Sequence, residues 1–175
     1  MGQRRPLIQT IPLLLLALAL SAASAGAALG KPAETGLNQQ LAQVRQATAR
    51  YHDVSAAIAD GYVPTDHCLA VPELGTMGYH YVNAQLASDA TLDPLQPEVL
   101  LYVPSGDGVK LVAVEYFIAA AATTGTPFLF GQPFDGPMPG HEPGMPEHYD
   151  LHAWLWAPNP GGVFAQFNPS VDCGA

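Results

Sequence analysis

Hydrophobic and polar positions follow two rhythms along this chain. From Leu37 to Asp60, Leu37, Leu41, Val44, Thr48, Tyr51, Ser55 and Ile58 recur at alternating steps of four and three, the stripe of an amphipathic helix. Thr35 or Asn38 serves as its cap, and Gly61 stops it. After a turn from Pro64 to Pro72 the period becomes two. Met77 to Val82 reads as a strand with Tyr79 and Tyr81 on one face and His80 and Val82 on the other. Glu98 to Val103 and Val109 to Ile118 flank the turn Pro104-Ser105-Gly106-Asp107-Gly108, which predicts a hairpin. In its second strand Val112, Val114, Tyr116 and Ile118 share a face, and Glu115 points the other way, toward solvent or into a pocket.

Ala119 to Gly125 reads as a short bridge. Gly and Pro then fill 11 of the 23 positions from Gly125 to Glu147, too many for a helix or a central strand. Phe128, Phe130, Phe134, Met138 and Met145 give this loop side chains that pack it onto the body. Period two resumes from His148 to Trp156, with His148, Asp150, His152, Trp154 and Trp156 on one face and Tyr149, Leu151, Ala153 and Leu155 on the other. A turn at Pro158 to Gly162 leads to a last short strand, Val163 to Phe167. The fold expected is α+β, an N-terminal amphipathic helix packed on an antiparallel sheet of about four or five strands, with a small β-barrel as the alternative.

The first residues belong to neither rhythm. Arg4 and Arg5 precede an apolar run from Ile11 to Leu20, and Ala23-Ser24-Ala25 has the small-x-small form of a signal-peptidase site. The run is too short to span a bilayer. The expected organisation is a signal peptide at 1–25, a flexible leader at 26–34 and one globular domain at 35–175, exported to the periplasm or the extracellular space. Cleavage would leave 175 − 25 = 150 residues carrying a charge of 4 − 15 = −11 with histidines neutral. So acidic a surface repels phosphate, which argues against nucleic acid and anionic membranes as partners and favours cations. Cys68 and Cys173, an even pair in an oxidising compartment, are expected to form one disulfide, with a thiolate site at His67-Cys68 as the weaker alternative.

Candidate chemistry gathers where the Pro-rich loop meets the strand at His148. Met138-Pro139-Gly140-His141 is echoed seven residues later by Met145-Pro146-Glu147-His148. On a regular strand His148 and His152 stand about 13 Å apart, too far to share one ion directly. A metal site therefore needs His80 or His141 from another segment, beside His148, His152 and Asp150, with the MPxH loop laid over them as a lid. Thioethers from Met138 and Met145 beside imidazoles point to copper first, and imidazoles with carboxylates such as Asp150 or Glu142 to zinc second. Glu115, Trp154 and Trp156 are the candidates for contacting a small ligand. Two other functions use the same residues: a small-molecule-binding or structural module without metal, and a small hydrolase or lyase pairing Glu115 with Asp150 or Glu142. His52, at the edge of the helix stripe, reads as structural. There is no GxSxG elbow and no phosphate-binding glycine loop.

The blocks ATARYHDVSAAIADGY, MGYHYVN, LVAVEYF and FGQPFDGPMPGHEPGMPEHYDLHAWLWAPNPGGVFAQFNPSV resemble a family of small exported bacterial proteins of unknown function. The resemblance covers nearly all of the chain after the signal segment. It implies export and a single domain, and brings no activity with it.

Overall fold

The computed structural model describes residues 1–2, 32–141 and 144–174. The expected signal segment from Arg4 to Ala25 and the carboxylate of Glu142 lie outside the described residues. No helix among the described residues is long and apolar enough to cross a membrane.

Helix α1 spans Pro32–Thr48, starting on a proline whose fixed φ suits a first helical position and ahead of the Thr35 or Asn38 start expected. The single long helix expected here is broken. A 3-10 turn at Ala49–His52 is followed by extended backbone at Asp53, whose side chain accepts from the Ser55 amide and so caps a new helix, α2 at Val54–Ala59. The break rephases the stripe: Leu41, Val44 and Thr48 are buried as expected, but α2 buries Ala57 and leaves Ile58 exposed. Buried Thr48 stays in the helix by donating its hydroxyl to the Val44 carbonyl at 2.8 Å.

Six strands form one antiparallel sheet: β1 Tyr62–Val71, β2 Gly75–Asn83, β3 Val99–Ser105, β4 Gly108–Ala119, β7 Asp135–Met138 and β8 His148–Ala153, in the order β1-β2-β3-β4-β8-β7. β1 and β7 end that order, so the sheet curls into a half-barrel without closing. A separate two-stranded ribbon, β5 at Phe128–Leu129 and β6 at Gln132–Pro133, and a short helix α3 at Ala84–Ser88 complete the fold. The count of four or five strands falls short because both edge strands run through proline. Pro64 lies in β1 and Pro137 in β7, both at sheet edges, where a missing N–H breaks no interior ladder. The expected turn at Pro64 to Pro72 is therefore mostly strand, and the Pro-rich loop supplies an edge. The expected last strand, Val163 to Phe167, forms turns instead, and the chain regains the sheet through a bridge between Asn168 and Thr76.

One face of the sheet carries Leu100, Tyr102, Val114, Tyr116, Tyr149 and Leu151 against Leu41, Val44 and Ala57 of the helices. The Tyr102 hydroxyl reaches the Tyr51 carbonyl at 2.6 Å, and Arg45 Nε the Leu155 carbonyl at 3.1 Å, so polar contacts dock the helical layer as well. The opposite face carries a second apolar cluster of Val99, Leu101, Val103, Val112, Ala113, Phe117 and Trp154. Val112 was expected beside Val114. Leu101 pairs with Ala113 but Tyr102 with Leu111, so Val112 is the extra residue of a β-bulge and faces the opposite way.

Cys68 in β1 is bonded to Cys173 across a sequence separation of 105, with the Cα atoms 5.7 Å apart. This ties the C-terminal tail to the edge strand. Replacing both cysteines with serine is expected to lower the unfolding free energy by about 4.7 kcal/mol, the chain-entropy value for so long a loop. Guanidinium titration of the variant beside the oxidised parent checks it, and coincident midpoints would show that the tail contributes nothing.

Candidate metal centre

Period-two alternation puts His80 of β2, Glu115 of β4 and His152 of β8 on the same face of the sheet, the one turned away from α1 and α2. Glu115 and His152 are direct cross-strand partners. His80 reaches them across β3, which is bracketed there by Val99 opposite Glu115 and Leu101 opposite His80. Gly78 lets β2 run close to β3: its φ is +109°, and a Cβ there would lie 2.5 Å from the Tyr102 carbonyl oxygen. The result is a compact donor set. One nitrogen of His80, one of His152 and one oxygen of Glu115 all lie within 4.8 Å of one another, and all three side chains are buried. Glu115 Oε2 is 3.3 Å from His80 Nε2 and 3.7 Å from His152 Nε2.

Asp150 sits behind this set. Its Oδ1 lies 3.7 Å from His152 Nδ1 and its Oδ2 3.7 Å from His148 Nε2, so one carboxylate joins the two imidazoles that strand spacing keeps apart. His148 Nδ1 is 3.1 Å from the Pro146 carbonyl. A carbonyl only accepts, so this contact puts a proton on Nδ1, and the Asp150 carboxylate, also an acceptor, favours a second proton on Nε2. Phe117 stacks on the His148 ring at 5.0 Å. Gly136, with φ +120°, brings β7 against this strand; a Cβ there would lie 2.7 Å from the His148 carbonyl oxygen.

The electrostatics are those of a buried carboxylate held among imidazoles. Burial pushes the Glu115 carboxyl up, but His152 and then His80 more than offset it and hold it down at about 2. For His148 burial works against the charged form, and the Asp150 carboxylate and Pro146 carbonyl outweigh it, so its pKa is raised. Glu115 Oε2, His148 Nε2, Asp150 Oδ1 and both ring nitrogens of His152 are buried with no hydrogen bond to another protein atom. So many converging lone pairs and N–H groups are costly unless a further partner binds them.

The other sequence candidates take different places. His141, in the Pro-rich loop, has its ring 6.1 Å from that of His80 and 5.4 Å from that of His148. Met145 packs on the second apolar cluster and lines the cavity described below, and Met138 Sδ meets Gln166 Nε2 at 4.0 Å. Trp154 belongs to that apolar cluster and donates its indole N–H to the Ala165 carbonyl at 2.6 Å. Trp156 was expected on the face of His152, but β8 ends at Ala153, and Trp156 packs on the helix side with its ring 4.3 Å from His52.

A cavity of about 760 Å³ opens onto His80 and Glu115 of the donor set, with Phe117, His141 and Met145 also in its lining. Ala84 and Ala87 of α3 form part of the wall, a helix too short for the hydrophobic pattern to announce. The available signal was Asn83, whose side chain caps α3 by accepting from the Gln85 and Leu86 amides. No family model, curated protein or solved structure matches this chain.

Proposed function

We propose that this is an exported protein that binds a first-row transition metal ion through His80, Glu115 and His152. The observation that carries the reading is the donor set itself: two imidazoles and a carboxylate from three strands, all buried, with one ligand atom from each within 4.8 Å of the others. Three protein ligands of this kind leave a coordination position open, as in His-His-Glu zinc sites. Asp150 would orient His152 from behind, as outer carboxylates do for metal-bound histidines. Zinc is the ion the donors suit best. Copper is the second reading, and it rests on the Met145 thioether in the cavity wall. The disulfide between Cys68 and Cys173 supports an oxidising compartment, and with the resemblance to small exported proteins it favours the periplasm or the extracellular space.

Protein stripped with chelator, given equimolar zinc and copper and then dialysed is expected to retain about one zinc per chain and to melt at a higher temperature than the stripped form. Elemental analysis and thermal melts check this. If neither metal stays at stoichiometry and neither moves the melting temperature, the proposal fails.

A further inference from the structure

Two of the three donors, His80 and Glu115, lie in the floor of a cavity far larger than an ion needs. At about 760 Å³ it is within the size range of small-molecule sites. Much of its wall is apolar, with Val82 and Val99 from the sheet, Ala87 from α3, Phe117 from β4 and Met145 from the loop, and its polar members are Thr65, Ser88 and His141 beside the acidic groups and His80. Among the described residues of the lining there is no lysine or arginine, and the acidic members are Asp66 and Glu115. Apart from the imidazoles of His80 and His141, such a lining offers nothing cationic to a polar head group. The floor does, once a dication is bound beside the single carboxylate of Glu115.

We infer that the cavity lined by His80 and Glu115 binds a small, largely aliphatic molecule whose one polar head coordinates the metal ion held with His152. This deepens the metal-binding reading and rests on it. Head and tail are recognised by different parts of the site. The open coordination position takes the head, and the walls take the chain, with burial of each methylene adding to affinity. A purely polar ligand leaves the walls wet, and a purely apolar one leaves the metal's open position unused.

Three probes separate these contributions: acetohydroxamate as head alone, octanohydroxamate as head with chain, and octanol as chain alone. By calorimetry on zinc-loaded protein, octanohydroxamate is expected to bind at least about 100-fold more tightly than acetohydroxamate, well within the transfer advantage of six methylenes. Octanol is expected to bind far more weakly than octanohydroxamate, and removal of zinc should abolish the difference. Ala87→Phe and Ala119→Phe each place a ring in the cavity lining from a different element, α3 and β4. In each variant that keeps its zinc, the preference for the long chain is expected to disappear while acetohydroxamate affinity is unchanged. Equal affinity for both hydroxamates in zinc-loaded wild type would overturn the cavity inference and leave metal binding standing. Failure of the wild type to hold zinc would overturn both, and elemental analysis of the same samples tells the two failures apart.

Discussion

Zinc affinity is expected to fall by more than about 100-fold when His152 is replaced by alanine, and by about 10- to 100-fold when Asp150 is replaced by asparagine. His152 supplies one of three donors, whereas Asp150 only faces its far ring nitrogen at 3.7 Å, and loss of such an outer partner costs 10- to 100-fold. The two variants also differ without metal. His152 is the partner that most lowers the Glu115 carboxyl, so His152→Ala leaves that buried charge with His80 as its main compensation. Removing one member of a buried pair costs on the order of 3–5 kcal/mol, so the stripped His152→Ala protein should melt well below the stripped parent. Competition against a chelator of known affinity, with thermal melts of the stripped proteins, checks both effects. Equal zinc affinity in parent, Asp150→Asn and His152→Ala would rule these strands out as the metal site.

Legibility of the site in the sequence divides along the same physical line as that of the fold. Alternation is local, so the faces of β2, β4 and β8 could be read residue by residue, and His80, Glu115 and His152 stood out as polar residues in apolar company. Their assembly is not local. It depends on Glu115 pairing with His152 and on β3 lying between β2 and β4, and strand order and register are tertiary facts. The bulge at Val112 shows how little local pattern warns of a change, since Val-Ala-Val alternates no differently there than in a regular strand. Edge strands were hidden for another reason. Proline in β1 and β7 reads as a breaker until the segment is known to be an edge. The helix break was written locally, in Asp53 capping the Ser55 amide, yet the stripe's period masked it because Ser55 still fell in phase.

Stability is expected to decline as pH rises from about 5 to 9, with Glu98 as a principal cause. Its side chain is 1% exposed, Tyr62 and Tyr116 are nearby, and Asp89 and Glu115 add negative charge; burial is the main reason its carboxyl is pushed up to about 8 from the ordinary 4.5. Between those two values the folded protein holds a proton that the unfolded chain has released. The stabilisation is therefore complete below about 4.5 and is lost as pH rises through about 8. A shift of this size corresponds to on the order of 4 kcal/mol between the extremes, or roughly 10 °C in melting temperature for a domain this long. Glu98→Gln isolates the contribution. The amide oxygen can still accept from the Phe117 N–H, which Glu98 Oε2 meets at 3.1 Å, and it carries no charge at any pH. Melts across pH 5 to 9 are expected to show a much flatter profile for the variant and, at pH 9, a higher melting temperature than the parent. Parallel profiles for the two proteins would mean that Glu98 is ionised in the folded state throughout and that the pH dependence arises elsewhere.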